Sequence, residues 1–287
     1  MQIAPTAGDA IVLRADWRIA RLARSTERID AWNGVCQSGD ICAMDVNASV
    51  VACLACDGTV LVHRVSDGSV AWSTRIAAGP LRRAEACLRV LDGGDTVVVA
   101  HHKGIAITRR AGRPASLALE RAALPPTAIA VAPDGDECVV VVDDVGTCVV
   151  RVDLAAGLIR AQHALPIMIA AVAYRSSSEV LLAGLGRLWG SPLPGAVLLD
   201  LDSGTVTPLP FESGALSVAM APNGSVAYIG AVDGCVYEVD LERRELILVH
   251  RLFREDEFVE ALALDDGASA LLCGSSKGQI RRLTISR

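Results

Sequence analysis

The stretch VAPDGDECVVVVDDVGTCVVRVDLAAGLIRAQHAL, residues 131–165, holds three short apolar runs separated by turn-forming residues. The breaks are Pro133-Asp134-Gly135, Asp143-Asp144-Val145-Gly146 and Ala155-Ala156-Gly157. Runs rich in β-branched residues suit buried strands, and glycine in such breaks supplies the positive φ of tight hairpin turns. The stretch therefore predicts a meander of short antiparallel strands.

The same order of apolar runs and turn-forming breaks recurs along the chain. Residues 217–252 carry all three breaks, and residues 50–76 and 261–285 each carry two of them. One marker glycine returns about every 44 residues, because its six occurrences span 220 residues in five intervals: Gly58, Gly104, Gly146, Gly195, Gly234 and Gly278. A period of 40–45 residues with four short strands per unit is the signature of a β-propeller. We therefore predict one all-β domain over residues 1–287, built of four-stranded antiparallel blades.

The number of blades depends on the N-terminal residues. Before the marked units we predict a compressed first blade with strands at 10–14, 18–23, 27–32 and 35–37, which gives seven blades of about 41 residues. Because the last unit ends after its third strand, we expect the N-terminal strand Gln2–Pro5 to complete that blade and close the ring. The alternative is six blades, with residues 10–23 supplying the closing strand.

The repeats resemble, in degenerate form, those of WD-repeat and quinoprotein-like propellers over most of residues 41–287. Where WD-repeat units end the third strand with Trp-Asp, this chain has Val152-Asp153, Leu199-Asp200 and Val239-Asp240, and Asp57, Asp144 and Asp233 lie in the turn where the family has an aspartate. The resemblance implies a protein-interaction scaffold or a subunit of a multiprotein complex. Residues 67–73 resemble the tryptophan-ending motif of pyrroloquinoline-quinone propellers, but the motif occurs once, so we expect no cofactor.

Composition narrows the classes of partner. A net charge of −6 argues against a nucleic-acid or anionic-membrane surface, and no uncharged apolar run reaches the ~18 residues of a membrane helix. The N-terminal residues lack a secretory pattern, so we expect an intracellular protein, cytoplasmic or alternatively nuclear. Several of the nine cysteines lie inside apolar runs, which favours reduced thiols. Cys53 and Cys56 form a Cys-x-x-Cys pair at the end of a strand, where we expect them to face opposite sides.

We predict the partner-binding residues on one side of the ring. They lie in turns between second and third strands, in a connection between blades and in an inserted loop, 184–194, whose tryptophan suits an interface anchor. The candidates are Arg82, Arg83, His101, His102, Lys103, Arg187, Trp189 and Lys277. Two alternatives stay open: the histidine turn is either a plain solvated turn or a partner contact, and the inserted loop either binds a partner or packs on its own blade.

No catalytic set is evident in the sequence. No serine stands in a Gly-x-Ser-x-Gly context, and the five histidines lack metal-ligand spacing. We therefore expect a non-catalytic scaffold that binds other proteins, with its oligomeric state open. One alternative is a propeller hydrolase or lactonase with a metal in the axial channel, although its candidate carboxylates, Asp45 and Asp265, fit turns better. A sensor that binds a small ligand in the channel is the other.

Overall fold

Seven antiparallel sheets make up the part of the chain that the computed structural model describes. The described residues are 2–5, 9–13, 19–23, 28–31, 41–47, 49–76, 80–81, 86–118, 125–144, 146–186, 193–265 and 268–285, with side chains described from residue 41 onward except at 92, 143, 144 and 146. Six of the sheets have four strands and one has three. Strands that are consecutive in the sequence are neighbours in each sheet, as a meander requires.

The first four sheets take up the N-terminal half of the chain. The first contains β1 (Gln2–Pro5), β2 (Asp9–Leu13), β3 (Ile19–Ala23) and β4 (Arg28–Ala31). The second contains β5 (Ile41–Val46), β6 (Val50–Ala55), β7 (Thr59–Arg64) and β8 (Val70–Arg75). The third contains β9 (Ala86–Leu91), β10 (Thr96–His101), β11 (Gly104–Arg109) and β12 (Ala115–Leu117), with a 3-10 turn at Asp92–Gly94. The fourth contains β13 (Pro126–Val131), β14 (Glu137–Asp144), β15 (Gly146–Asp153) and β16 (Leu158–Leu165).

The remaining three sheets follow the same order. The fifth contains β17 (Ile169–Tyr174), β18 (Glu179–Gly184), β19 (Ala196–Asp200) and β20 (Val206–Pro208). The sixth contains β21 (Ala215–Met220), β22 (Val226–Ala231), β23 (Cys235–Asp240) and β24 (Glu245–Arg251). The seventh contains β25 (Val259–Leu264), β26 (Ala270–Ser275) and β27 (Ile280–Thr284).

The first strands of the sheets form a closed ring. In chain order, β1, β5, β9, β13, β17, β21 and β25 each contact the next, and β25 contacts β1. The sheets therefore surround a central axis, with the first strand of each sheet innermost and the last strand outermost. The predicted class of fold, an all-β propeller of four-stranded antiparallel blades, is confirmed.

The N-terminal strand closes the ring in a different way from the one predicted. β1 pairs with β2, with Gln2 opposite Leu13, and is the innermost strand of the first sheet. The prediction that it completes the last sheet is wrong, because pairing with the adjacent strand closes a much shorter loop and costs less chain entropy. Residues 10–23 are not a closing strand either, since β2 and β3 belong to this first sheet. The strand predicted at 35–37 lies outside the described residues.

The core lies between the sheets, and it explains why second strands are apolar without alternation. Every residue of β6 and β10 is buried. In β10, Val97 and Val99 pack toward the second sheet, whereas Val98 and Ala100 pack toward the fourth. A strand that is covered on both faces needs apolar side chains at every position. The valine runs therefore indicate a sheet that is covered by neighbouring sheets on both faces.

Four of the six marker glycines have a positive φ, which other residues rarely adopt. Gly58, Gly234 and Gly278 have φ values of +85°, +79° and +79° at the hairpin between second and third strands. Gly104 holds φ +141°, and a Cβ there would lie 2.1 Å from the backbone oxygen of Leu117. The turn glycines therefore indicate the repeat as clearly as the apolar strands do.

We predict that Gly104→Ala destabilises the fold more than Gly135→Ala. Both glycines have positive φ, but a Cβ on Gly135 meets nothing within 4 Å. The backbone conformation alone costs ~1–3 kcal/mol, so we expect about that loss for Gly135→Ala and a larger loss for Gly104→Ala. Urea-unfolding midpoints of the two variants and the parent measure the difference. Equal losses would show that contact with Leu117 does not govern this position.

Candidate functional site

The binding residues are predicted on one side of the ring, which we call the rim. It consists of the turns between second and third strands together with the connections between consecutive sheets. Four candidates are described: His101, His102, Lys103 and Lys277. The other four, Arg82, Arg83, Arg187 and Trp189, lie outside the described residues.

The histidine turn is more enclosed than predicted. β10 extends through His101, whose side chain is buried, and the backbone N–H of Lys103 donates to its Nδ1 atom at 3.2 Å. Burial lowers the pKa of His101 to about 4, with the nearby His102 and Lys103 contributing. His101 was predicted in this turn either as a solvated residue or as a partner contact, but its ring packs inside the blade, so it fits neither alternative directly. Lys103 is exposed, so it is the member of this turn that can meet a partner directly.

Lys277 does not make its part of the rim basic. Its ammonium group lies next to the Asp256 carboxylate and 3.9 Å from Oε1 of Glu257. The hydrogen bond from Lys277 lowers the pKa of Asp256. Lys277 is therefore charge-compensated by acidic residues of the connection that precedes β25. The idea that all eight candidates form one binding surface stays a prediction.

Backbone hydrogen bonds hold together the base of the inserted loop, where it leaves the fifth sheet. The backbone N–H of Gly184 donates to the Gly195 oxygen at 2.8 Å, and that of Leu185 donates to the Met168 oxygen at 3.0 Å. A Cβ on Gly184 would lie 1.9 Å from the same Met168 oxygen. This close backbone approach fixes where the loop leaves the rim.

The inner strands line an axial cavity of about 260 Å³ with a charged pair on one side. Asp45 and Arg89 lie on neighbouring inner strands with Oδ1 and Nη1 3.3 Å apart, and Oδ2 of Asp45 accepts the Val90 N–H at 2.9 Å. Burial raises the pKa of Asp45, while Arg89 and Val90 oppose that shift. The sequence interpretation of Asp45 as a turn residue is wrong. Glu260 also lines this cavity, and the sequence analysis did not single it out.

Asp265 is a turn residue, as predicted. Its carboxylate accepts backbone N–H groups from Ser269 and Ala270 at 2.7 and 3.0 Å, which closes the turn between β25 and β26. Among the residues with described side chains, no three His, Cys, Asp or Glu residues are close enough together to hold a metal ion. Over the same part of the chain, no helix has the length and apolarity to span a membrane.

Among the residues with described side chains, the longest run of exposed apolar residues lies on an outermost strand. The four consecutive residues Leu246, Ile247, Leu248 and Val249 of β24 are 42 %, 50 %, 50 % and 43 % exposed. Single exposed apolar residues are ordinary. Because successive side chains of a strand point to opposite faces, these four residues leave apolar surface on both faces of this outer edge, and exposed apolar surface of this kind marks interaction sites. The sequence analysis missed this run because Leu-Ile-Leu-Val has the composition of a buried strand.

The backbone edge of β24 is also available for pairing. β23 covers one side of β24, and no other described strand pairs with the opposite side. Leu252 donates its backbone N–H to Gly234 at 3.2 Å. The backbone N–H and C=O groups of successive residues point to opposite edges of a strand. Since Leu252 points toward β23, the backbone groups of Arg251 and Val249 point outward. A bulge between Glu238 and Val239 limits the straight part of this edge to its C-terminal half.

Comparisons with known proteins identify the architecture. No family model matches the chain, and no curated protein matches it either. The structure is similar to a chain in the crystal structure of the Mitotic Checkpoint Complex, with TM-score 0.77 and 11 % identity over 100 % of this chain and 87 % of that one. It is also similar to the crystal structure of the computationally designed Ika8 protein, with TM-score 0.70 and 17 % identity over 98 % of this chain and 81 % of that one.

These likenesses define the protein as a β-propeller. At such low identities they show the fold alone. As many as 1778 chains of solved structures match this fold, so the likeness does not select a function. The function must be argued from the surfaces of this particular chain.

We predict that stability falls as the pH decreases from about 6.5 to 4. Because the pKa of His101 is lowered to about 4 from 6.5, the unfolded chain binds more protons than the folded chain in this interval. His101→Gln should show a smaller loss between about pH 7 and pH 5, measured by urea unfolding. An NMR titration of the His101 ring reports its pKa directly. A midpoint near 6.5 would contradict this assignment.

Proposed function

We propose that this protein is a non-catalytic propeller that binds other proteins as a scaffold or subunit of a multiprotein complex inside the cell, in the cytoplasm. The resemblance of its repeats to WD-repeat propellers supports this function. The Mitotic Checkpoint Complex, in which a chain shares the fold, is itself an assembly of proteins. The acidic net charge of −6 favours a protein partner over nucleic acid.

The exposed apolar run on β24 is the observation that carries the proposal. An outermost strand with an open backbone edge can accept an extended segment of a partner as an additional strand. Backbone hydrogen bonds would supply affinity, and the side chains of Leu246–Val249 would select the partner. Natural sheets usually protect such edges with charged residues, so four consecutive apolar residues are costly unless something covers them.

The apolar run and Glu245 define the partner's chemistry. Glu245 begins the strand, whereas Arg251 at its end already pairs with Glu255, with Nη1 and Oε1 3.5 Å apart. A partner segment that pairs with the C-terminal half of the edge would therefore match best with apolar residues opposite Leu248 and Val249 and a basic residue at the end nearer Glu245. We propose a segment of this kind from another protein as the occupant of the edge.

The test compares two exposed leucines on outermost strands. Leu248 lies on β24 and is 50 % exposed, and Leu158 lies on β16 and is 59 % exposed. We predict that Leu248→Lys weakens partner binding at least tenfold, because a charge is placed in the apolar contact, and that Leu158→Lys binds like the parent. Surface changes of this kind alter stability by about 0.5 kcal/mol or less, so unfolding midpoints should stay unchanged.

The measurement has two stages. Affinity purification with mass spectrometry on the parent and both variants identifies proteins that only Leu248→Lys loses, and titration calorimetry with the purified partner then gives the affinities. Trp189→Ala and Lys103→Ala test the rim in the same experiment. Equal recovery by every variant would refute both surfaces.

Two further measurements separate the alternatives. Sedimentation of the purified chain shows whether it self-associates, and dimers abolished by Leu248→Lys would assign β24 to a second copy instead of a different protein. Metal analysis of the purified protein tests the hydrolase alternative. A stoichiometric divalent ion would favour that alternative over a scaffold.

A further inference from the structure

Two cysteines of the second sheet lie with their sulfur atoms close together. The Sγ atoms of Cys42 and Cys56 are 2.8 Å apart, and no disulfide joins them. Cys42 is buried in β5, and Cys56, directly after β6, is partly exposed. The two residues are separated by 13 others in the sequence, so only the fold brings them together.

A β-bulge explains why this pair forms and the Cys-x-x-Cys pair does not. The register between β5 and β6 shifts between Ile41 and Ala43, which leaves Cys42 as the extra residue. Its side chain joins the apolar cluster against which Cys56 packs. Cys53 belongs to a different cluster, with Met44 and Val51. The expectation that Cys53 and Cys56 face opposite sides is thereby confirmed.

The distance between the two sulfur atoms is shorter than an ordinary contact. Non-bonded heavy atoms such as carbon pack best at about 3.5–4.0 Å, whereas a disulfide bond is about 2.05 Å long. From 2.8 Å, the sulfur atoms need to approach by roughly 0.8 Å to reach the bond length. Small rotations of the two side chains can supply such a movement.

We propose that Cys42 and Cys56 form a reversible disulfide, with a low-molecular-weight disulfide such as oxidised glutathione as the oxidant. The more exposed Cys56 thiolate attacks one glutathione sulfur, which forms a mixed disulfide and releases one glutathione thiolate. Cys42 then loses its proton and attacks the Cys56 sulfur, which releases the second glutathione. The two protein thiols are oxidised, one glutathione disulfide is reduced, and reduced glutathione reverses the reaction.

The disulfide would form directly beneath the rim. The backbone N–H of Leu81 donates to the Cys56 oxygen at 2.7 Å, and the Leu81 oxygen lies 4.0 Å from Sγ of Cys42. Leu81 immediately precedes Arg82 and Arg83, two of the predicted partner-binding residues. Oxidation would therefore tie β5 to the turn that anchors the start of this connection. The cysteine pair itself does not depend on the proposed scaffold function.

Proteolytic cleavage on the N-terminal side of aspartate places Cys42 and Cys56 in different fragments. Aspartates at positions 30, 40, 45 and 57 give fragments 30–39, 40–44 and 45–56. Cys36 lies in the first fragment and Cys42 in the second, while Cys53 and Cys56 share the third. The folded chain is treated with oxidised or reduced glutathione, its remaining thiols are alkylated after unfolding in denaturant, and the fragments are analysed by mass spectrometry without reduction.

We expect oxidised glutathione to remove two alkylatable thiols per chain and to link fragment 40–44 to fragment 45–56 through Cys56. Reduced glutathione should restore both thiols. Cys53→Ser and Cys148→Ser should keep the link, whereas Cys42→Ser and Cys56→Ser should lose it. Circular dichroism shows whether each variant is folded. If a variant is unfolded, the fragment map of the parent chain alone decides whether Cys42 and Cys56 form the disulfide.

Three results would overturn the proposal. The first is that both thiols of the folded parent stay alkylatable after oxidation. The second is a stable glutathione adduct on Cys56 with no link to Cys42. The third is a link from either cysteine to Cys36 or Cys53. None of these results bears on partner binding by β24, so failure of the redox pair and failure of the scaffold function can be distinguished.

Discussion

Each sheet of this protein is too thin to cover its own two faces, and the rest of the structure depends on that constraint. β10 sends alternate side chains into two different clusters, one toward each neighbouring sheet. Burial of apolar surface is the main favourable contribution to folding. A single sheet cannot bury its apolar faces without neighbouring sheets. A ring satisfies the requirement for every sheet at once. Contact between β25 and β1 completes it.

Ring closure covers the faces of the sheets but leaves their innermost and outermost edges. The inner strands surround the axial cavity, where Asp45 and Arg89 pair, so that edge meets a small and partly charged space. The outer strands meet solvent, and those such as β16 and β27 expose polar side chains there, including Arg160, Gln162, Arg281 and Arg282. β24 departs from this pattern with Leu246–Val249. The strand that departs from the general rule is the natural place to seek a function specific to this chain.

The fold could be predicted from the sequence because its signals are local and repeat. Glycines such as Gly58 and Gly234 stand where the hairpin needs positive φ, and the runs between them are apolar throughout. The candidate site was less predictable. His101 was predicted in an accessible turn, solvated or in contact with a partner, and is buried, and the charge of Lys277 is compensated by Asp256. Whether a turn residue faces solvent or a neighbour depends on adjacent loops, which the repeat pattern does not encode.

The sequence by itself determined the repeat, the strand meander and the class of fold, since turn chemistry and burial on both faces act within one unit. Tertiary structure alone decided which strand Gln2–Pro5 joins, which residues reach the axis and which apolar run stays exposed. It also decided that Cys56 meets Cys42 and not Cys53, because a single extra residue in β5 redirects one side chain. Such pairings link positions far apart in the chain, and only the packed ring specifies them.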